Sequence, residues 1–171
     1  MGKRSDFERK ERDLYETPWE AVVPLFPFLE DGFAFVEPCA GGRKLVDHLE
    51  NMGGKCVLAT DIHPLHSDVI QSDFFKLTYF PAPVITNPPW DRKFLHPMIE
   101  HLFNHTDMPF WLLFDADWMH TKQSTEYMKK CSDVVSIGRV KWFPDSKMTG
   151  KDNCCWYRFD KETKSTTFHG R

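Results

Sequence analysis

The residues best placed to do chemistry lie in Val84-Ile85-Thr86-Asn87-Pro88-Pro89-Trp90. A short apolar, β-favouring run ends in one polar residue, two prolines and an aromatic. Neither proline can donate to a sheet ladder, and Pro88 holds Asn87 out of helical space. The run is therefore predicted as a buried strand whose carboxyl end is a rigid elbow, where open α/β sheets bind ligands. The Asn87 side-chain carbonyl and the Pro88 backbone carbonyl are adjacent acceptors aimed at one point. They suit an NH2 group on an aromatic ring: accepting both protons localises the nitrogen lone pair, and Trp90 can stack on the ring. A Pro-Pro turn that only shapes the chain is the other reading of these residues.

An elbow of this kind needs a folded sheet behind it, and the composition permits one. A chain of 171 residues suits a single domain with a real core. Its 41% hydrophobic and 15% aromatic content excludes wholesale disorder. No apolar run approaches a membrane span, and the charged N-terminus lacks a signal-peptide core. The five cysteines, Cys39, Cys56, Cys131, Cys154 and Cys155, form no CxxC pair. That pattern predicts reduced thiols in a cytoplasmic protein and no zinc site. Net charge is +1 over residues 1–13, −8 over 14–137 and +4 over 138–171. A basic final fifth fits a polyanion approaching one face, and a solvated tail explains it equally well.

The elements that would position the elbow can be read in order. Residues 1–13 are almost wholly polar and predict a flexible segment. Thr17 is a natural helix N-cap and Pro18 a natural first helical residue. Phe33 to Glu37 predicts a first strand, followed by Pro38-Cys39-Ala40-Gly41-Gly42 and a helix bearing Leu45, Val46 and Leu49 on one face. Strand, small-residue turn and helix make the cofactor-binding start of a nucleotide fold. Cys56 to Thr60 predicts a second strand ending in Asp61, 24 residues after Glu37. That is close to the ~20-residue offset at which an acid meets ribose hydroxyls, and a carboxylate accepts a vicinal diol bidentately. Asp68 to Gln71 predicts a short third strand. Arg92 to Asn104 predicts a helix, Pro109 to Phe114 a fifth strand, and Lys122 to Cys131 another helix. Asp115, Asp117 and His120 read as a polar rim around a pocket, and His63 and His66 as loop histidines, with no metal centre among them. The last strands, Asp133 to Val140 and Asn153 to Phe159, flank twelve residues rich in aromatics and lysines. So long a connection is more than a hairpin requires.

Asn87-Pro88-Pro89-Trp90 resembles the catalytic tetrapeptide of S-adenosylmethionine-dependent amino-methyltransferases, above all the DNA N6-adenine enzymes. Tyr15-Glu-Thr17-Pro18 resembles the loop of that family that meets the methionine end of the cofactor. Glu37, Pro38, Cys39, Ala40 and Gly41 resemble its first motif, and Asp61 and Ile62 its second. Asp73 and Phe74 match the pair that accepts from the adenine amino group and covers the ring. Trp142-Phe143-Pro144 resembles a late motif whose aromatic touches a flipped base, which implies a substrate contact for Phe143 beside the stacking Trp90; Lys147, in the basic C-terminal segment, is expected to meet phosphate. One departure stands out. The family usually shows Gly-x-Gly where this chain has Gly41-Gly42-Arg43.

Five motifs in the expected order, spanning residues 15–143, imply an α/β, Rossmann-like methyltransferase fold. It would have a seven-stranded, mostly parallel sheet, helices on both faces and an antiparallel C-terminal hairpin. The catalytic domain would run over 14–160, with a tail over 161–171. The implied reaction is methylation of the exocyclic N6 amino group of adenine in DNA, with S-adenosyl-L-methionine as cofactor and a flipped or single-stranded base as target. Motif order is γ-like, and no large target-recognition domain follows, so specificity is expected to be low, borrowed from a partner supplying sequence recognition, or directed at another substrate. An RNA adenine methyltransferase, a protein glutamine methyltransferase and a non-catalytic cofactor-binding subunit remain as alternatives.

Overall fold

The computed structural model describes residues 15–171; the polar segment 1–13 lies outside them. Eight strands form two hydrogen-bonded ladders among these residues. The first holds β1 (Ala34–Glu37), β2 (Lys55–Asp61) and β3 (Ile70–Gln71), all parallel. The second runs β4-β5-β7-β6-β8, from β4 (Ile85–Thr86) and β5 (Phe110–Asp115) through β7 (Asn153–Phe159) and β6 (Cys131–Arg139) to β8 (Thr167–His169). In that ladder β7 alone is antiparallel to its neighbours. The ladders meet at one parallel bridge, Val36 to Val84, where the Val36 N–H donates to the Pro83 carbonyl at 2.9 Å.

This corrects the expectation of one seven-stranded sheet. Pro81 and Pro83 have no N–H, so the segment entering β4 cannot sustain a ladder against β1. The eighth strand, β8, comes from residues 161–171, where the sequence offered three residues among polar neighbours and no alternation long enough to read. It pairs parallel to β6, and His169 Nε2 lies 2.9 Å from Asp133 Oδ1.

Helices cover both faces, and the strands sort their side chains between them by simple alternation. On one face Trp111 and Leu113 of β5 pack with α1 (Trp19–Val22) and the Leu45, Val46 and Leu49 stripe of α2 (Lys44–Asn51). On the other, Phe110, Leu112 and Phe114 pack against Leu95, Met98, Ile99 and Leu102 of α3 (Arg92–His105). Each such buried side chain contributes about 1.5–3 kcal/mol. Asp91 caps α3, its Oδ1 accepting from the Lys93 N–H at 3.1 Å.

Two local expectations are overturned. Thr17 does not cap α1; Pro18 holds that position without a side-chain bond, because the Thr17 hydroxyl is engaged elsewhere. The helix expected over 122–131 is a 3-10 turn at Lys122–Ser124 followed by the single turn α4 (Thr125–Met128). Strand β6 already begins at Cys131, whose buried side chain the core claims.

Candidate active site

The site is built from two strand ends on either side of the Val36–Val84 bridge. Strand β1 ends at Glu37, which is 1% exposed, with Oε1 accepting from the Cys39 N–H at 2.9 Å and from the Thr86 hydroxyl. Burial pushes its carboxyl up to about 8; the Thr86 and Cys39 hydrogen bonds oppose that rise, and the nearby Asp61 charge adds to it. The Cys39 thiol is likewise pushed up by burial and by Glu37 and Asp61, which keeps it a thiol and a poor nucleophile.

The turn after Glu37 is tied to β2. Ala40 donates to the Thr60 carbonyl at 2.9 Å, and Gly41 donates to Asp61 Oδ2 at 2.9 Å. Asp61 Oδ1 accepts from the His63 N–H at 2.8 Å, so both carboxylate oxygens already hold backbone donors. A ribose diol would have to share them. Gly41 has φ +50°, and Arg43 sits at φ +73°, the left-handed region that glycine enters freely and other residues rarely. Arg43 therefore stands in glycine's conformation at the end of the turn. Its guanidinium pairs with Asp47 and, at 2.8 Å, with Glu50 of α2.

Strand β4 delivers the elbow. Asn87 Nδ2 donates to the Tyr15 carbonyl at 3.3 Å and to Thr17 Oγ1 at 3.2 Å, while Asn87 Oδ1 accepts from Trp90 Nε1 at 3.0 Å. The asparagine is thus locked between the chain entering α1 and the tryptophan three residues on. The Trp90 ring meets Trp142 edge to face, centroids 5.5 Å apart at 80°, and Tyr15 packs against both Trp142 and Phe143. Trp142, next to the residue matched by motif, makes the contact with Trp90.

A cavity of about 690 Å3 opens between these strand ends, within the range of small-molecule sites. Tyr15, Thr17, the turn from Glu37 to Gly41, Asp61 and Ile62 line one part of it. Asp73 and Phe74 line another, and Asn87 and Pro89 reach it from the elbow. Pro18, Pro88, Trp90, Phe143 and Lys147 do not line it. Pro88 is buried, and Lys147 is exposed in the loop over 141–152. Asp73 Oδ1 accepts from the Phe75 N–H at 3.0 Å, closing a 3-10 turn at Phe74–Lys76. In that turn Phe74 is 7% exposed and packs on His101, whereas Phe75 is 42% exposed and also faces the cavity.

Sequence reasoning gave no site role to several lining residues, Glu16, Lys44, Phe75, Lys93 and Phe94, and read His63 as a loop histidine. Lys93 and Phe94 could have been found, because Asp91 is a natural N-cap that turns the next residues toward the elbow. Asp115, Asp117 and His120 do not line the cavity, which corrects their reading as its rim. Asp115 accepts from the Asp117 N–H at 3.0 Å and starts a 3-10 turn instead. Among the described residues no three His, Cys, Asp or Glu side chains converge as metal ligands, and no helix is long and apolar enough to cross a membrane.

No protein-family model and no curated protein matches the sequence. Solved structures do. A candidate RNA methyltransferase from Pyrococcus horikoshii superposes with a TM-score of 0.66 at 16% identity, covering 93% of each chain. The fold is methyltransferase-like. A chain of a type I R-M system superposes with a TM-score of 0.61 at 13% identity, over 95% of this chain and 46% of that one. This chain thus spans about half the length of that neighbour, and at such identities the likeness is one of fold. In this methyltransferase-like fold the turn after β1 and the elbow after β4 open on one cavity.

Proposed function

We propose that the chain is an S-adenosylmethionine-dependent methyltransferase acting on the exocyclic N6 amino group of adenine in DNA. One observation carries the reading: Asn87, held by Tyr15, Thr17 and Trp90, faces the same cavity as the Glu37–Gly41 turn. The lining fits an adenosyl amino acid. It combines an apolar wall of Ile62, Phe74 and Phe75 with carboxylates at Asp61 and Asp73 and a short-residue turn that lets backbone approach closely.

When bound, S-adenosylmethionine supplies an electrophilic methyl group on a sulfonium sulfur. The protein's part is positioning and polarisation. Asn87 Oδ1 has two lone pairs, and Trp90 Nε1 occupies one of them; the other accepts an amino proton of the target, and the Pro88 carbonyl accepts the second. Both contacts strengthen as the nitrogen lone pair turns toward the methyl group. Trp90 has a double role in this scheme, presenting ring surface and orienting the asparagine. The base must leave its stack to reach the elbow. Trp142 and Phe143 then offer aromatic surface, and Lys147 in the same loop meets phosphate.

RNA is the second reading, favoured by the Pyrococcus horikoshii neighbour. Incubation with radiolabelled S-adenosylmethionine and separate pools of duplex DNA, single-stranded DNA, RNA and protein, followed by nucleoside analysis, decides between them. Label recovered as N6-methyl-2′-deoxyadenosine is expected. Label confined to N6-methyladenosine selects RNA, and label in protein alone, or in no pool, overturns the proposal.

A further inference from the structure

Five carboxyl side chains line the cavity: Glu16, Glu37, Asp61, Asp73 and Asp91. Four are occupied. Glu37 is buried and holds Cys39 and Thr86; Asp61 holds Gly41 and His63; Asp73 holds Phe75; Asp91 caps α3 and lies 3.5 Å from Lys93 Nζ. Glu16 is exposed and makes no hydrogen bond or salt bridge among the described residues. Its carboxylate nevertheless has a seat, lying against the Cα of Gly42 so closely that a Cβ there would collide with it. The glycine of the turn therefore gives room to an acid arriving from the chain that enters α1.

The lining cations divide in the same way. Lys93 pairs with Asp91 and lies 5.0 Å above the Phe94 ring. Lys44, the first residue of α2, is exposed and forms no salt bridge among the described residues. Among the described residues, two opposite charges without partners thus line the cavity, Glu16 against Gly42 and Lys44 two residues after that glycine. Thr17, implied by resemblance for the ligand carboxylate, is 3% exposed and already accepts from Asn87 Nδ2.

We infer that Glu16 and Lys44 form a clamp for the α-amino-acid group of the cofactor, Glu16 taking the ammonium and Lys44 the carboxylate. The inference rests on the proposed function and assigns the two charged ends of the ligand to two side chains, Glu16 inside the loop over 15–18 and Lys44 outside every motif, neither of which the resemblance gives a role. A zwitterion presents both charges on one carbon, so an acid and a base flanking one turn select it over a ligand bearing either charge alone. The nucleoside half, held by Asp61 and the Asp73 region, is indifferent to both side chains.

Calorimetric titration with S-adenosylhomocysteine and with 5′-methylthioadenosine, which keeps the nucleoside and thioether but lacks the amino-acid group, tests this on the full chain. Glu16→Gln and Lys44→Met should each weaken S-adenosylhomocysteine about tenfold or more, the effect of one charge-assisted contact. Neither should change the affinity for 5′-methylthioadenosine. Unchanged S-adenosylhomocysteine affinity in both variants overturns the clamp while leaving the proposed function standing. A parallel loss for both ligands also overturns it, since the side chains would then be supporting the fold. Failure of the unaltered protein to bind either ligand at millimolar concentration overturns the clamp and the proposed function together.

Discussion

The amide of Asn87 faces two ways, donating backward to Tyr15 and Thr17 and accepting forward from Trp90. Asn87→Ala removes an acceptor that matters most when the target lone pair is localised. The loss should fall on turnover, about thirty- to a thousandfold, with cofactor affinity largely kept. Single-turnover methylation beside S-adenosylhomocysteine titration separates the two; equal losses in both would reduce the elbow to a scaffold. Considered as ring surface alone, Trp90 could become Phe with little effect. The indole N–H to Asn87 changes that expectation. Trp90→Phe should lower turnover about five- to tenfold through one lost hydrogen bond of about 1 kcal/mol, and wild-type turnover in that variant would remove Trp90 from the orientation of Asn87.

Glu37 makes the other residue-scale prediction. Its carboxyl is raised to about 8 in the fold from an ordinary 4.5. The folded state therefore holds a proton that the unfolded chain has released across that window. Stability conferred by the site is complete below pH 4.5, falls as pH rises toward 8, and levels off above. The span is on the order of 5 kcal/mol for a fully buried group. Glu37→Gln should flatten the slope, so that urea unfolding from pH 5.5 to 8.5 shows a midpoint nearly independent of pH relative to the unaltered protein. Identical pH slopes in the two proteins would mean the carboxyl titrates normally.

At the scale of elements, the turn into α2 carries a conflict that its ion pairs offset. Left-handed backbone costs a non-glycine residue about 1–2 kcal/mol, and half-exposed pairs such as those of Arg43 with Asp47 and Glu50 return about 0.2–1 kcal/mol each. Arg43→Gly should be neutral or stabilising by up to about 1 kcal/mol, whereas Arg43→Val, β-branched in the same conformation, should destabilise by about 2 kcal/mol. Thermal unfolding of both decides it, and a glycine variant weaker than the valine one would reverse the argument. Much at this scale was legible. The strand at Asn153–Phe159 has the expected ends, and β1, β2 and α3 differ by a residue or so, because their apolar patterns end at turn residues with fixed preferences. What stayed hidden was set by distant partners. Strand β8 exists because β6 offers it an edge; Thr17 turned away from capping because Asn87, seventy residues on, donates to it. Phe75 and Phe94 face the cavity by virtue of turns that no periodicity signals.

For the whole molecule the charge distribution is the relevant quantity. Residues 138–171 carry +4 against an acidic body, and the loop over 141–152 stands on a root closed by Gly150 donating to Val140 at 2.7 Å. If nucleic acid docks there, its affinity should fall steeply with salt, and replacing Lys141 and Lys147 by Gln should reduce the log–log slope by about 1–2. Fluorescence anisotropy with a labelled oligonucleotide between low and moderate salt measures this; a flat dependence points to a substrate without phosphates.

The seam between the two ladders gives the molecule a place to breathe. One bridge at Val36 and Val84 joins three strands to five, and the cavity straddles the joint. Side-chain packing spans it, but backbone hydrogen bonding hardly does, so local opening there breaks few bonds. The Val36 amide, bonded to the Pro83 carbonyl, reports on that opening by hydrogen exchange. It should exchange faster than the amides of β5 and β7, which are laddered on both sides, and slow markedly once an adenosyl ligand touches both banks of the seam.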